Sequence, residues 1–148
     1  MEGQQWYFED FRLGQQFSIP AKTLTESHFL LFAALSGDQY PLHYDEEYCK
    51  KTRFGKRVAH GFLINMLTAL GASNISQAVE EAMIAFLSQS SRFLKPAFIG
   101  DTLRPRLEVV GLVPKGDKGV VEIRSTVTNQ RGELVLEGSH TYLLKSRG

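Results

Sequence analysis

Phe62-Leu63-Ile64-Asn65-Met66-Leu67-Thr68-Ala69-Leu70-Gly71-Ala72 is the stretch on which the fold turns. From Phe62 to Leu70 apolar side chains fall on nearly every face of a helix, and a helix apolar all round is a buried one. At about eleven residues it is far too short to cross a bilayer, which takes ~20. Gly71 and Asn74 supply the stop. Some other part of the chain must therefore wrap residues 62–72.

The wrapping is found downstream, where the hydrophobic period changes from helical to two. Val121, Ile123 and Val127 alternate with Glu122, Arg124 and Thr126, as in a sheet with one wet face. Leu107 and Val109 before them, and Leu134 and Leu136 after them, fit neighbouring strands. Residues 84–94 read as a further strand, with Lys95-Pro96 and Gly100-Asp101 marking the connection that follows. Lys115-Gly116-Asp117-Lys118-Gly119 and Asn129-Gln130-Arg131-Gly132 read as hairpin turns with Gly where positive φ is needed. The expected fold class is α+β: a curved antiparallel β-sheet wrapped around a buried central helix, with residues 1–148 forming a single domain.

The bulk numbers agree. A chain of 148 residues suits one core, and 43% hydrophobic with 22% charged residues is ordinary for a globular protein. The formal net charge of +1, from 17 basic and 16 acidic residues, gives no global field toward nucleic acid or an anionic membrane. Cys49 is the single cysteine, so no internal disulfide forms, and no Cys/His spacing resembles a metal site. The N-terminus lacks the basic then apolar run of a signal peptide, and a cytoplasmic location is expected.

Upstream of the buried helix, Trp6, Tyr7, Phe8 and Phe11 suggest an N-terminal arm within residues 1–14 that packs aromatics onto the body. A strand around Gln16–Ile19 ends at Pro20. Thr23 and Glu26 stand in capping-box spacing, with Thr25 a second cap candidate, ahead of a helix through Leu35 that Gly37 terminates. Asp45 is placed to cap a short helix through Tyr48 and Lys51. Between these helices lies Leu35-Ser36-Gly37-Asp38-Gln39-Tyr40-Pro41-Leu42-His43-Tyr44-Asp45, which Gly37 and Pro41 prevent from being plain helix. Asp38 and His43 are thus able to converge on one small molecule. Gly-Asp and Tyr-Pro are also ordinary turn vocabulary, and on spacing alone an Asp or His there serving only the backbone is an equal reading.

The combined pattern Ser36-Gly37-Asp38-x-x-Pro41-Leu42-His43-x-Asp45, then Ala59-His60-Gly61 and an apolar helix, then Ser91 to Asp101, resembles the MaoC-like, (R)-specific enoyl-CoA hydratase family over nearly the whole chain. That resemblance implies the hot-dog fold and a homodimer whose two sheets join, with each active site at the subunit interface. It implies addition of water across the double bond of a trans-2-enoyl thioester, or the reverse dehydration. Asp38 and His43 fill the catalytic positions, and the backbone amide of Gly61 fills that of the donor to the thioester carbonyl. The chemistry is consistent with those residue types, since hydration needs a held water, a base, a proton for the α-carbon and a donor for the developing enolate oxygen. No cofactor is implied beyond coenzyme A as part of the substrate, and no metal.

Tyr40 stands where the family motif usually has Asn, and Ala69 stands where some members carry a serine. Both bear on acyl specificity. Tyr40 and His60 are candidates for contact with substrate, although a His ahead of a helix-start Gly is more often structural. Lys56, Arg57, Arg92 and Lys95 are candidates for the coenzyme A phosphates, each also readable as an ordinary surface base. Two other functions fit the same ligand: an acyl-CoA thioesterase, disfavoured because residues 62–72 contain no Asp or Glu, and a non-catalytic acyl-CoA-binding protein, for which Tyr40 is the only hint.

Overall fold

The computed structural model describes residues 3–148; Met1 and Glu2, the start of the expected arm, lie outside them. In chain order the elements are β1 (Gln16–Ser18), β2 (Lys22–Thr23), α1 (Glu26–Ser36), α2 (Pro41–Tyr44), α3 (Glu46–Lys50), α4 (Gly61–Met66), β3 (Met83–Phe93), β4 (Thr102–Lys115), β5 (Lys118–Thr128) and β6 (Leu134–Lys145). The strands form an antiparallel sheet in the order β1-β4-β5-β6-β3, with the short β2 also on β4. Both hairpins form as the turn residues predict, with Gly116 and Gly132 at φ of 64° and 76°. Gly119 serves a different end, since a Cβ there would stand 2.2 Å from the Phe8 ring. Pro105 falls where β4 passes from β2, paired at residues 102 and 103, to β1, paired at residues 106–108. A missing N–H is tolerated at such a break in an edge ladder.

Alternation along β4 to β6 puts Leu107, Val121, Ile123, Val127 and Leu136 on the covered face of the sheet. One half of this face takes the N-terminal arm, where Phe8 and Phe11 pack with Phe17, Ile75, Val79 and Leu144. The other half takes α4, whose Leu63 and Ile64 meet Phe29 of α1 and Val127, Val135 and Leu136 of the sheet. Burying each of those two α4 side chains contributes roughly 1.5–3 kcal/mol.

Two expectations need correction. The central helix is shorter than residues 62–72: it ends at Met66, and a 3-10 turn follows at Leu70–Ala72. Thr68 explains the early stop. Its hydroxyl donates to the Asn65 carbonyl at 2.7 Å, and the backbone tightens to i, i+3 bonds at Leu67, Thr68 and Ala69. Nor is the helix covered all round, because Phe62 is 70% and Met66 51% exposed. At the start of α1 the cap is Thr25, not Thr23: the Thr25 N–H donates to His28 Nδ1 at 2.9 Å, so a histidine fills the role of the usual acid. Thr23 instead pairs with Thr102 in the β2–β4 ladder.

Candidate active site

Gly37 ends α1 in the left-handed region at φ 76°, its N–H donating to the Ala33 carbonyl at 2.8 Å. Directly beyond it, the Asp38 N–H donates to Ser36 Oγ at 3.1 Å, and Asp38 Oδ1 accepts from the Tyr40 N–H at 3.1 Å. The turn reading of Asp38 therefore holds for one carboxylate oxygen. The other, Oδ2, faces His43 Nε2 at 3.9 Å. Pro41, at the first position of α2, starts the short helix that turns His43 back toward Asp38.

His43 is held firmly. Its Nδ1 lies 2.7 Å from the Val58 carbonyl, which can only accept, so Nδ1 carries a proton and, in the neutral ring, Nε2 presents a lone pair to Asp38. The His43 carbonyl accepts from Arg57 Nε at 2.7 Å, while the Arg57 guanidinium grips Glu26 through both terminal nitrogens at 2.7 and 3.0 Å. That fork joins the first turn of α1 to the end of α2, and the pairing raises the Arg57 pKa. His43 retains 12% side-chain exposure and Asp38 43%.

His60 lies beneath this pair, 1% exposed. Its ring stacks on that of His43 with centroids 3.8 Å apart and planes at 25°. Tyr44 donates its hydroxyl proton to the Phe29 carbonyl at 3.0 Å and sits 2.7 Å from His60 Nε2, so it accepts the Nε2–H. The Asp38 carbonyl is 3.4 Å from the same nitrogen. Burial, aided by the neighbouring His43, lowers the His60 pKa and favours the neutral ring. The donor atoms of Asp38, His43 and His60 all lie within 4.8 Å of one another. His43 Nδ1 is engaged by Val58 and His60 Nε2 by Tyr44, which leaves His43 Nε2 and Asp38 Oδ2 to meet a small molecule.

Gly61 follows His60 as the first residue of α4, where amide N–H groups lack carbonyl partners within the helix. A Cβ at Gly61 would come within 3.0 Å of the Phe93 ring. Asp38 shares with Phe32, Ser36, Phe62, Asn65 and Met66 the lining of a depression of about 550 Å³.

The remaining candidates divide by location. Tyr40 is 56% exposed, its ring 6.3 Å from His43, and its hydroxyl meets that of Tyr48 at 3.3 Å. Arg57 is a half-buried tie to Glu26 rather than a free base. Lys56 stands over the Phe98 ring at 4.3 Å, beside a depression of about 470 Å³ that Lys50 and Ile99 also line. Lys95 is paired with Glu133 at 2.5 Å. Ser91 bonds to Asn65 of α4, so the adjacent Arg92 points to the opposite face of the sheet, where Glu137 lies 3.8 Å away. Cys49 is fully buried with its thiol directed at the Leu42 carbonyl, and burial raises its pKa, which excludes it as a nucleophile. Tyr44 and Asn65 are the site residues that sequence reasoning passed over. Adjacency to His43 was the only signal for the first, and a polar residue in an otherwise apolar helix the signal for the second.

The sequence model described as the MaoC-like domain matches residues 10–131. An (R)-specific enoyl-CoA hydratase of Rhodospirillum rubrum is 39% identical over 146 residues, which cover 96% of this chain and 94% of that protein. A 3-hydroxybutyryl-CoA dehydratase of Methylorubrum extorquens is 29% identical over 89% of this chain and 80% of its own. Among solved structures, one described as a monoamine oxidase regulatory protein from Archaeoglobus superposes with a TM-score of 0.93 at 37% identity, covering 100% of this chain and 99% of that one. The (R)-hydratase of A. caviae gives 0.76 at 28% identity, covering 94% and 99%. The chain belongs to the MaoC-like family, and it is a hydratase or dehydratase built on a hot-dog fold.

Proposed function

We propose that this protein adds water across the double bond of a trans-2-enoyl-CoA to give a 3-hydroxyacyl-CoA, or runs the reverse dehydration, with Asp38, His43 and the Gly61 amide carrying the reaction. The observation behind this reading is that Asp38 Oδ2 and His43 Nε2 face each other at 3.9 Å, with the His43 Nδ1–H held by Val58. With the ring neutral, both are acceptors. A direct hydrogen bond between them is ruled out by length and chemistry, whereas one water donating a hydrogen to each satisfies both and leaves its oxygen lone pairs free. As that oxygen bonds to C3, Asp38 accepts the released proton. The C2–C3 π electrons move toward the thioester carbonyl, where the Gly61 N–H at the positive end of α4 stabilises the enolate oxygen. The proton on Asp38 is then delivered to C2. His43 Nε2 keeps hold of the other hydrogen throughout.

Coenzyme A enters as part of the substrate. Lys56, which forms no ion pair among the described residues and lines an open depression shared with Lys50, Glu26 and Glu46, is the best placed of the basic candidates for its phosphates. The reading extends to a homodimer. β3 is an outermost strand, and Leu31, Leu35, Phe62 and Met66 leave a broad apolar surface beside the Asp38 depression. Among the described residues no helix is long and apolar enough to cross a membrane, and a single buried thiol suits the reducing cytoplasm.

The test is an absorbance assay of crotonyl-CoA and longer enoyl-CoAs, with free thiol followed in parallel. Wild-type protein should remove the double bond without releasing thiol. Asp38→Asn and His43→Ala should each lower turnover by about 10²–10⁴. Thiol release would turn the assignment to a thioesterase. Tight binding without turnover would turn it to an acyl-CoA-binding protein.

A further inference from the structure

We infer that Asn65, held by Ser91 and Gln89 of β3, sets the acyl-chain limit of this enzyme by placing its amide among the apolar side chains Phe32, Phe62 and Met66 that line the depression beside Asp38; this rests on the hydratase reading above. Gly61 and Asn65 are separated by one turn of α4, so they share a face of the helix, with Asn65 about 6 Å farther along its axis. The depression that Asp38 lines is also lined by Phe32, Ser36, Phe62, Met66 and Asn65. An acyl group whose carbonyl is bound at Gly61, and whose C3 lies against Asp38, therefore meets Asn65 a few carbons beyond the double bond.

The polar group is fixed rather than incidental. Ser91 Oγ donates to Asn65 Oδ1 at 2.5 Å, and Asn65 Nδ2 donates to Gln89 Oε1 at 3.2 Å. Ser91 Oγ also lies 3.1 Å from Gln89 Oε1. These bonds fix the Asn65 amide across the strand–helix junction and use one of its two Nδ2 hydrogens. The second Nδ2 hydrogen of Asn65, the member of this network that lines the depression, is left to water or to substrate, while Gln89 acts through the bond that orients Asn65. A short acyl group stops before this point and leaves that N–H hydrated. A long unsubstituted chain displaces its water and offers nothing in exchange, which penalises it.

The experiment compares kcat/KM for crotonyl-CoA and trans-2-octenoyl-CoA in wild-type, Asn65→Leu and Gln89→Leu proteins. Wild type should prefer the shorter substrate. Each variant should raise the octenoyl-to-crotonyl ratio about tenfold or more. Gln89 is on an exposed stretch of β3, so its variant carries the test should Asn65→Leu disturb the helix. An unchanged ratio in either folded variant overturns the inference while leaving the hydratase reading intact. Failure of wild-type protein to hydrate any enoyl-CoA removes that reading and this inference together.

Discussion

At the scale of single residues, Asp38 divides its carboxylate between two directions, with Oδ1 tied to the Tyr40 N–H and Oδ2 turned to His43. The spacing in the sequence left both readings open, and the turn reading accounts for one oxygen while the other stays directed at His43. His60 differs, since its burial under His43 makes it a support for the catalytic ring and its bonds to Tyr44 and the Asp38 carbonyl join the two halves of the site. Tyr44→Phe removes the acceptor of the His60 Nε2–H. We expect kcat to fall about tenfold with KM little changed, and stability to drop by ~1 kcal/mol, read from steady-state kinetics and urea melts. Histidine burial also makes stability pH-dependent. His140, 3% exposed, accepts from the Tyr142 hydroxyl at 2.9 Å and donates to Thr68 Oγ at 3.2 Å; burial lowers its pKa and pushes that of Tyr142 up to about 12. A histidine whose folded pKa lies below the unfolded 6.5 binds its proton more readily when unfolded. Stability is therefore complete above pH ~6.5 and declines as pH falls below it, until the folded-state pKa is reached. The melting temperature should drop between pH 7.5 and about pH 5.5, and His140→Gln should flatten that slope; a slope unchanged by the substitution would locate the titration elsewhere.

At the scale of elements, the hairpins and α1 were legible because Gly and capping residues act locally and leave their mark in neighbouring positions. The length of α4 was not. Hydrophobic pattern alone carries the helix to residue 72, whereas the hydroxyl of Thr68 takes the Asn65 carbonyl and ends it at Met66. Thr68 is itself held by His140, a contact across 72 positions that no local pattern contains. Gly138 carries a similar long-range constraint: a Cβ there would sit 2.2 Å from the backbone oxygen of Ser90, where β3 and β6 approach closely. Because backbone and not a flexible side chain is in the way, Gly138→Ala should spread the two strands. A loss of about 2–3 kcal/mol is expected in chemical denaturation, together with weakened catalysis, since β3 also carries Ser91 and Phe93 against α4. Gly61→Ala meets only the edge of the Phe93 ring at 3.0 Å, which gives by a small rotation. Its stability should change by less than about 1 kcal/mol, while kcat declines as the ring is pushed over the amide.

At the scale of the molecule, the reading of residues 62–72 as wholly buried was half right for a physical reason. Leu63 and Ile64 face the sheet of their own chain, while Phe62 and Met66 face outward at 70% and 51% exposure, and Leu31 and Leu35 of α1 stand at 62% and 81%. Apolar area on that scale next to an uncovered strand edge is what a second subunit covers, and a stable interface takes ~800 Å² from each partner. The surface adjoins the candidate site, because Phe62 and Met66 also wall the depression that Asp38 lines. A partner seated on them would close the acyl channel and exclude water from it. Phe62→Glu places a charge in the middle of this surface but leaves Asp38, His43, His60 and the Arg57 fork as they are. On the proposed dimer, wild type should sediment as a dimer and the variant as a monomer at the same concentration, with the wild-type circular dichroism spectrum retained, most hydration of crotonyl-CoA lost, and activity returning in part as protein concentration is raised. A fully active monomer would show that one chain suffices for the site, and would leave the apolar face without a catalytic role.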